Sequence, residues 1–324
     1  MSIIQGSGSK LQIGLESTWG TKVAPTVNIG YTSETMKLIP NYKEEDTLVG
    51  AKTTGRMDTF GKKVEGDVNL IVHPDTIGWL LWEHFGAEGN ATADGSAYTH
   101  AFTHVAAGAA TSLPHFTMVI DRIVSAYAFV SCKSDQMKLS CKVNDYLRAT
   151  FTLRGHSEVN STIVTLSDSA TKGLKFSHGS VTVGGASYAE VTGFDLTDSN
   201  NLENDLYVMN GSAYMMEIEP NARSTTGTME VLYSSTTEGT RSSYFLTATP
   251  CSVVLTFTSD EEAATDAPYQ LTITMPNCYF TDASPNVNGP ERLRQTLNFT
   301  ASQQSGTEAI TVTLRDARST KYSA

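Results

Sequence analysis

The chain has 324 residues, 40% of them hydrophobic, and a formal charge of −11 from 23 Lys/Arg and 34 Asp/Glu. That size and apolar content support a packed core and exclude wholesale disorder, while the acidic balance argues against a protein that grips nucleic-acid phosphates. No apolar run approaches the roughly 20 residues that cross a bilayer, and four cysteines (Cys132, Cys141, Cys251, Cys278) are too few in so long a chain for a disulfide framework.

Residues 1–32 read as an irregular arm with one strand at 10–15 and a polar, turn-rich stretch in which Trp19 is the anchor. Residues 34–39 alternate as a strand with Met36 and Leu38 on one face. Residues 40–63 are polar, charged and too long for a tight turn, so they read as a long loop, functional or disordered. A strand at 64–72 stops at Pro74. Asp75 or Thr76 then caps a helix whose Ile77, Leu80, Leu81 and Phe85 fall at helical spacing, and Gly86 ends it. After a Gly/Ala/Asn loop at 87–96, strands follow at 98–103, 113–120, 127–132, 136–143 and 148–153.

Residues 158–175 read as a linker, with a short strand at 162–166. A hairpin over 176–191 turns at Gly184-Gly185, and a strand over 191–196 leads into a second polar loop, 198–222, with a short strand at 214–218. Further strands are expected at 228–232, 252–258, 269–275, 292–300 and 308–314. A weakly apolar helix is expected at 235–246.

The second half looks like a fainter copy of the first. Val64-Glu65-Gly66-Asp67-Val68 overlays Thr225-Thr226-Gly227-Thr228-Met229, 161 residues on; Leu147–Phe151 overlays Leu293–Leu297, 146 residues on. The expected architecture is therefore all-β: two tandem β-sandwich domains, each with one flanking short helix. The boundaries are 1–32 for an arm, 33–157 for the first domain, 158–175 for the linker, 176–304 for the second domain, and 305–324 for a C-terminal extension. Charge is uneven between halves: 14 Lys/Arg against 15 Asp/Glu in residues 1–157, but 9 against 19 in 158–324.

Nucleophile-elbow, zinc-protease, P-loop and dinucleotide-binding motifs are absent. His100 and His104 sit four apart on a strand, roughly 13 Å, too far for one ion, and read as structural or solvent-facing. Glu44-Glu45-Asp46 and Asp260-Glu261-Glu262 lack calcium-ligand spacing. Asp75, Glu83 and His84 read as surface charge on the helix, and Trp79 and Trp82 as cover for the sheet. The cysteines read as reduced thiols on strands, with a Cys132–Cys141 pair across a hairpin as the alternative. No catalytic residue, cofactor or metal is expected.

In sequence order, several segments resemble the tail tube (major tail) proteins of tailed bacteriophages. The opening Ile13-Gly14-Leu15-Glu16-Ser17-Thr18-Trp19-Gly20-Thr21 is similar to that family's entry motif. So are Val64–Val68 followed by a helix ending Phe85-Gly86, the strands Tyr98–Thr103 and Leu113–Thr117, and Asn200-Asn201-Leu202-Glu203. The resemblance implies a β-sandwich that closes with its copies into stacked hollow rings around a DNA channel. Such rings are usually hexameric; two domains per chain imply a trimer with pseudo-sixfold symmetry. It further implies ring-to-ring contacts through the arm and the two loops, for which the candidates are Trp19, Glu44, Glu45, Asp46, Lys52, Arg56, Glu203, Asp205, Tyr207 and Arg223. An acidic lumen would be lined by Glu34, Asp195, Glu217, Glu219 and Glu230. Implied partners are further copies of the chain and the tape measure, tail terminator and distal tail proteins, with DNA passing unbound and no membrane involved. The implied place is the virion tail, assembled in the bacterial cytoplasm. The competing readings are a non-catalytic β-sandwich binding or decoration protein and a hydrolase on a β scaffold.

Overall fold

The computed structural model describes residues 5–47, 55–106, 113–287, 289–304 and 306–323. The first half of the chain contributes β1 (Lys10–Leu15), β2 (Val27–Ile29), β3 (Ser33–Glu34), β4 (Lys37–Glu44) and β5 (Met57–Ile71). Helix α1 (Ile77–Phe85) comes next, then β6 (Gly86–Glu88), β7 (Thr92–Asp94), β8 (Ala97–His104), β9 (Phe116–Asp121), β10 (Ala126–Lys142), β11 (Arg148–Gly155) and β12 (Ser157–Ser161). The second half adds β13 (Gly179–Val183), β14 (Ala186–Ser187), β15 (Val191–Ser199), β16 (Ser224–Leu232), α2 (Ser235–Thr240), β17 (Cys251–Ala264), β18 (Ala267–Asp282), β19 (Arg294–Ala301) and β20 (Thr311–Asp316). Short alternating runs make the protein all-β. The apolar stripe of α1 is buried, and Gly86, at φ 78°, ends it with its N–H on the Trp82 carbonyl. α2 is polar, held by a capping box between Ser234 and Thr237, and relaxes into a π-helical turn, Arg241–Phe245.

One antiparallel run of eight strands dominates: β4–β5–β11–β10–β15–β16–β19–β18. The long strands β10 and β18 each pass from one layer into the other. The first part of β10 joins β2–β1–β9 and β12; the first part of β18 joins β13–β17 on one side and β20–β8 on the other. Among the described residues the pairings branch but never return on themselves, which leaves open sheet edges at β4 and beside the end of β18. The core lies between the layers and is continuous through both halves: Val64, Val68, Phe151, Leu139, Leu196, Met229 and Leu297 from the eight-strand run meet Ile13, Met118, Phe129, Val253, Leu255 and Ile273. Burying side chains of this size contributes about 1.5–3 kcal/mol each.

The ladders of the second half repeat those of the first, residue for residue. Val68 opposes Phe151 and Met229 opposes Leu297, the positions overlaid in the sequence. The register shift between Ser134 and Gln136 against β11 recurs between Phe280 and Asp282 against β19. Phe129–Met118 stepping to Cys132–Phe116 recurs as Met275–Val253 stepping to Cys278–Cys251. The hairpin at Gly184-Gly185 is present, with both glycines at positive φ.

Several expectations need correction. Of the loop expected over 40–63, residues 40–44 and 57–63 are instead strand, in a long β4–β5 ladder where Pro40 pairs with Lys62 on an edge strand and a missing donor costs nothing; residues 48–54 lie outside the described residues. Residues 87–96 hold β6 and β7. The expected strands 127–132 and 136–143 are one strand, β10, so Cys132 and Cys141 cannot face across a hairpin; all four cysteines are free and buried. The linker's strand is Ser157–Ser161, not 162–166. Residues 214–218 form no strand, only an isolated bridge from Tyr214 to Lys62. Glu83 and His84 are fully buried because α1 is covered on both faces. His100 and His104 are buried too, in separate networks.

Candidate assembly interface

The β4–β5 ladder runs past the body of the sheet as a two-stranded arm. Its distal residues Tyr42, Met57 and Phe60 are each more than half exposed. Loop 200–222 braces its root. Lys62 N–H donates to the Ala213 carbonyl at 2.8 Å, Lys63 Nζ to Asn204 Oδ1 at 2.9 Å, and the Tyr207 ring sits against Gly61, where even a Cβ would come within 2.8 Å. The loop itself exposes Val208, Met209 and Met216. Large apolar side chains this exposed on one arm and its bracing loop make the arm a candidate interaction surface.

The loop is pinned by charge and by shape. The β10 bulge turns Asp135 inward, where it accepts from Leu202 N–H at 2.7 Å and ion-pairs with Arg154 at 2.8 Å. Lys133 is fully buried and donates to Glu217 (2.9 Å), Glu219 (3.2 Å) and the Ile218 carbonyl (3.0 Å). Trp19 packs over Lys133, at 5.3 Å, and edge-on to His115 and His156. Beneath the loop Asp198 is fully buried between His84 and His104, each at 2.8 Å. Burial opposes its charge, but hydrogen bonds from the two imidazoles hold its carboxyl well below the usual range. Burial pushes His84 down.

The candidate contact residues divide accordingly. Trp19 and Arg223 are engaged inside the chain; Arg223 donates to Asn200 Oδ1 and to the Val105 carbonyl. Glu44, Glu45, Asp46 and Arg56 are exposed near the described end of the arm, Glu203 and Asp205 are exposed on the bracing loop, and Tyr207 fills its base. Lys52 lies outside the described residues. The apolar members Tyr42, Met57, Phe60 and Met209 were missed because isolated apolar residues in a polar stretch carry no periodic signal. Tyr42 and Met57 share one face of the folded arm, while Phe60 lies on the other, with Lys43 5.9 Å from its ring.

The five carboxylates expected to line a lumen each face a base: Glu34–Arg122 (2.9 Å), Asp195–Lys138 (3.2 Å), Glu217 and Glu219 with Lys133, and Glu230–Lys142 (3.8 Å). Asp195 and Glu230 lie on the open face of the eight-strand run. Lys63, Lys138, Lys142, Arg148, Arg154 and Arg294 share that face with Glu65 and Asp67, among threonines and asparagines.

The site as described is an exposed two-stranded arm with its bracing loop on a two-layer β body. The family model described as phage tail tube protein matches residues 6–301, and the chain belongs to that family. No curated protein matches it. The protein is therefore a structural component of a phage tail. Among the described residues no helix is long and apolar enough to cross a membrane and no group of side chains could hold a metal ion.

Proposed function

We propose that the protein closes, three chains to a ring, into the hollow tube of a phage tail through which DNA passes. The observation that carries this is the repeated ladder. β10 is joined to β15 within the chain, and the corresponding pair, β18 and β3–β4, is left as the two open ends of the eight-strand run. Joining those ends between copies removes both edges and closes a barrel. Because each chain holds the unit twice, residues 33–157 and 176–304, three chains fill a pseudo-sixfold circle. Rings stack through the β4–β5 arm and loop 200–222, with the apolar tips of Tyr42, Met57 and Phe60 seated on the next ring.

The open face of the run lines the channel. Its charges are mixed rather than uniformly acidic, and Lys63, Lys138, Lys142, Arg148 and Arg154 each face a carboxylate, so a passing phosphate backbone meets few uncompensated cations. The role is mechanical rather than catalytic, and the remaining partners are the tape measure, terminator and distal tail proteins, met in the host cytoplasm where the virion is built. Negative-stain microscopy of the purified protein tests the reading: hollow tubes or rings are expected, and isolated particles at all concentrations overturn it.

A further inference from the structure

Within the chain, the last part of β10 lies against β15. Val143 N–H donates to the Thr192 carbonyl at 3.0 Å, which makes the pairs two residues apart, Cys141–Phe194, Leu139–Leu196 and Met137–Asp198, the hydrogen-bonded ones. The ladder correspondences between the halves place Val287, Pro285 and Ala283 where Cys141, Leu139 and Met137 stand. They place Glu34, Met36 and Leu38 where Phe194, Leu196 and Asp198 stand.

We propose that the outer edge of β3 and β4, with the groove beside it, receives residues 282–287 of a second copy of this chain, pairing Val287 with Glu34, Pro285 with Met36 and Ala283 with Leu38. The proposal rests on the ring reading above and names its junction.

The edge is prepared for such a strand. Its outward backbone groups are held in the lone chain by side chains: Met36 N–H by Glu34 Oε2 (2.8 Å), Leu38 N–H by Glu158 Oε2 (3.2 Å), and the Met36 carbonyl by Arg122 Nη2 (2.6 Å). Capping an edge in this way keeps it from pairing at random. The Met36 carbonyl is the one group the incoming segment cannot satisfy, because Pro285 has no N–H. Arg122 already supplies that donor and can stay in place.

The groove agrees. Beside β15 lies a cavity of ≈350 Å³ with Cys141, Lys142 and Val143 as one wall. Its counterpart beside β3 measures ≈650 Å³, is lined by Ser9, Tyr31, Ser33, Glu34, Arg122 and Ile123, and has no such wall. Cys141 is 6% exposed in its junction, while Val287, which takes its place, is 76% exposed with nothing to cover it. The internal junction carries the aromatic pair Phe194–Phe257, centroids 5.9 Å apart. The open one carries the Glu34–Arg122 ion pair at the same two positions, a pairing suited to a surface that waits in water before assembly.

Two variants test this. In Val287→Cys/Glu34→Cys the new thiols are the accessible ones, the native four being buried, and oxidised assemblies are expected to yield chains linked to one another, up to covalent trimers, where each single variant yields none. Val287→Glu is expected to melt as the wild type does but to form no rings. Assembly of Val287→Glu at the wild-type concentration, or tubes of the double variant that never cross-link, would overturn the junction and leave the tube reading intact. A wild-type protein that forms neither rings nor tubes would overturn both.

Discussion

Glu83 carries an energetic cost. It is fully buried, neither carboxylate oxygen has a hydrogen-bond partner among the described residues, and burial raises its pKa well above the usual range. A carboxyl with a raised folded pKa binds its proton more tightly folded than unfolded, so it penalises folding increasingly as pH rises above about 4.3. Glu83→Leu is expected to stabilise the chain at pH 8 by about 1–3 kcal/mol; a lower denaturant midpoint would contradict this. His100 works in the opposite sense. Burial alone would lower its pKa, but hydrogen bonds to Asp316 and Glu88 raise it from 6.5 to about 9. Its stabilising contribution is therefore full below pH 6.5 and is lost as pH rises through about 9. The gap in denaturant midpoint between wild type and His100→Gln is expected to be widest at pH 6 and to narrow by pH 9.5; a gap that does not change with pH would refute it. The burial of Glu83 was not legible in the sequence, while for His100 a structural role was one of the two readings offered, without its partners. Polar residues on a short amphipathic helix default to the water side, and only the second layer of the fold closes over α1.

At the scale of elements, the clearest signal was the pair of glycines 161 residues apart. Gly66 lies where a Cβ would come within 2.6 Å of the Met36 backbone, and Gly227 where it would come within 2.1 Å of the Phe299 ring. Both sit at the same rung of their ladders, opposite Leu153 and Phe299. Gly227→Ala is expected to cost about 1–3 kcal/mol through overpacking, with Phe299→Leu in the same chain recovering much of it. An additive double variant would show that the close approach is not the cause. The helix α1 and the strands with one buried face were legible for the same reason: burial on one side writes a period into the sequence. The β4–β5 arm has both faces in water, writes no period, and read as a loop. The loop expected over 198–222 is irregular from residue 200 on, without the strand expected at 214–218, and the Lys133 clamp that fixes it joins residues more than 80 apart and has no local signature.

For the whole molecule, the composition was a partial guide. The net charge of −11 is real, yet the open face of the eight-strand run mixes Lys138, Lys142, Arg148 and Arg154 with Glu65, Asp67, Asp195 and Glu230. A formal sum cannot say on which surface charge resides. In the proposed ring, the segment that follows β18 meets the outer edge of β3 and β4 as β10 meets β15 within the chain. A reconstruction of the assembled protein by electron cryomicroscopy tests this most directly. The account predicts rings of three chains with pseudo-sixfold symmetry, eight strands from each chain forming one continuous barrel wall around an open channel. Rings of six chains, or subunits whose sheets end within themselves, would contradict it.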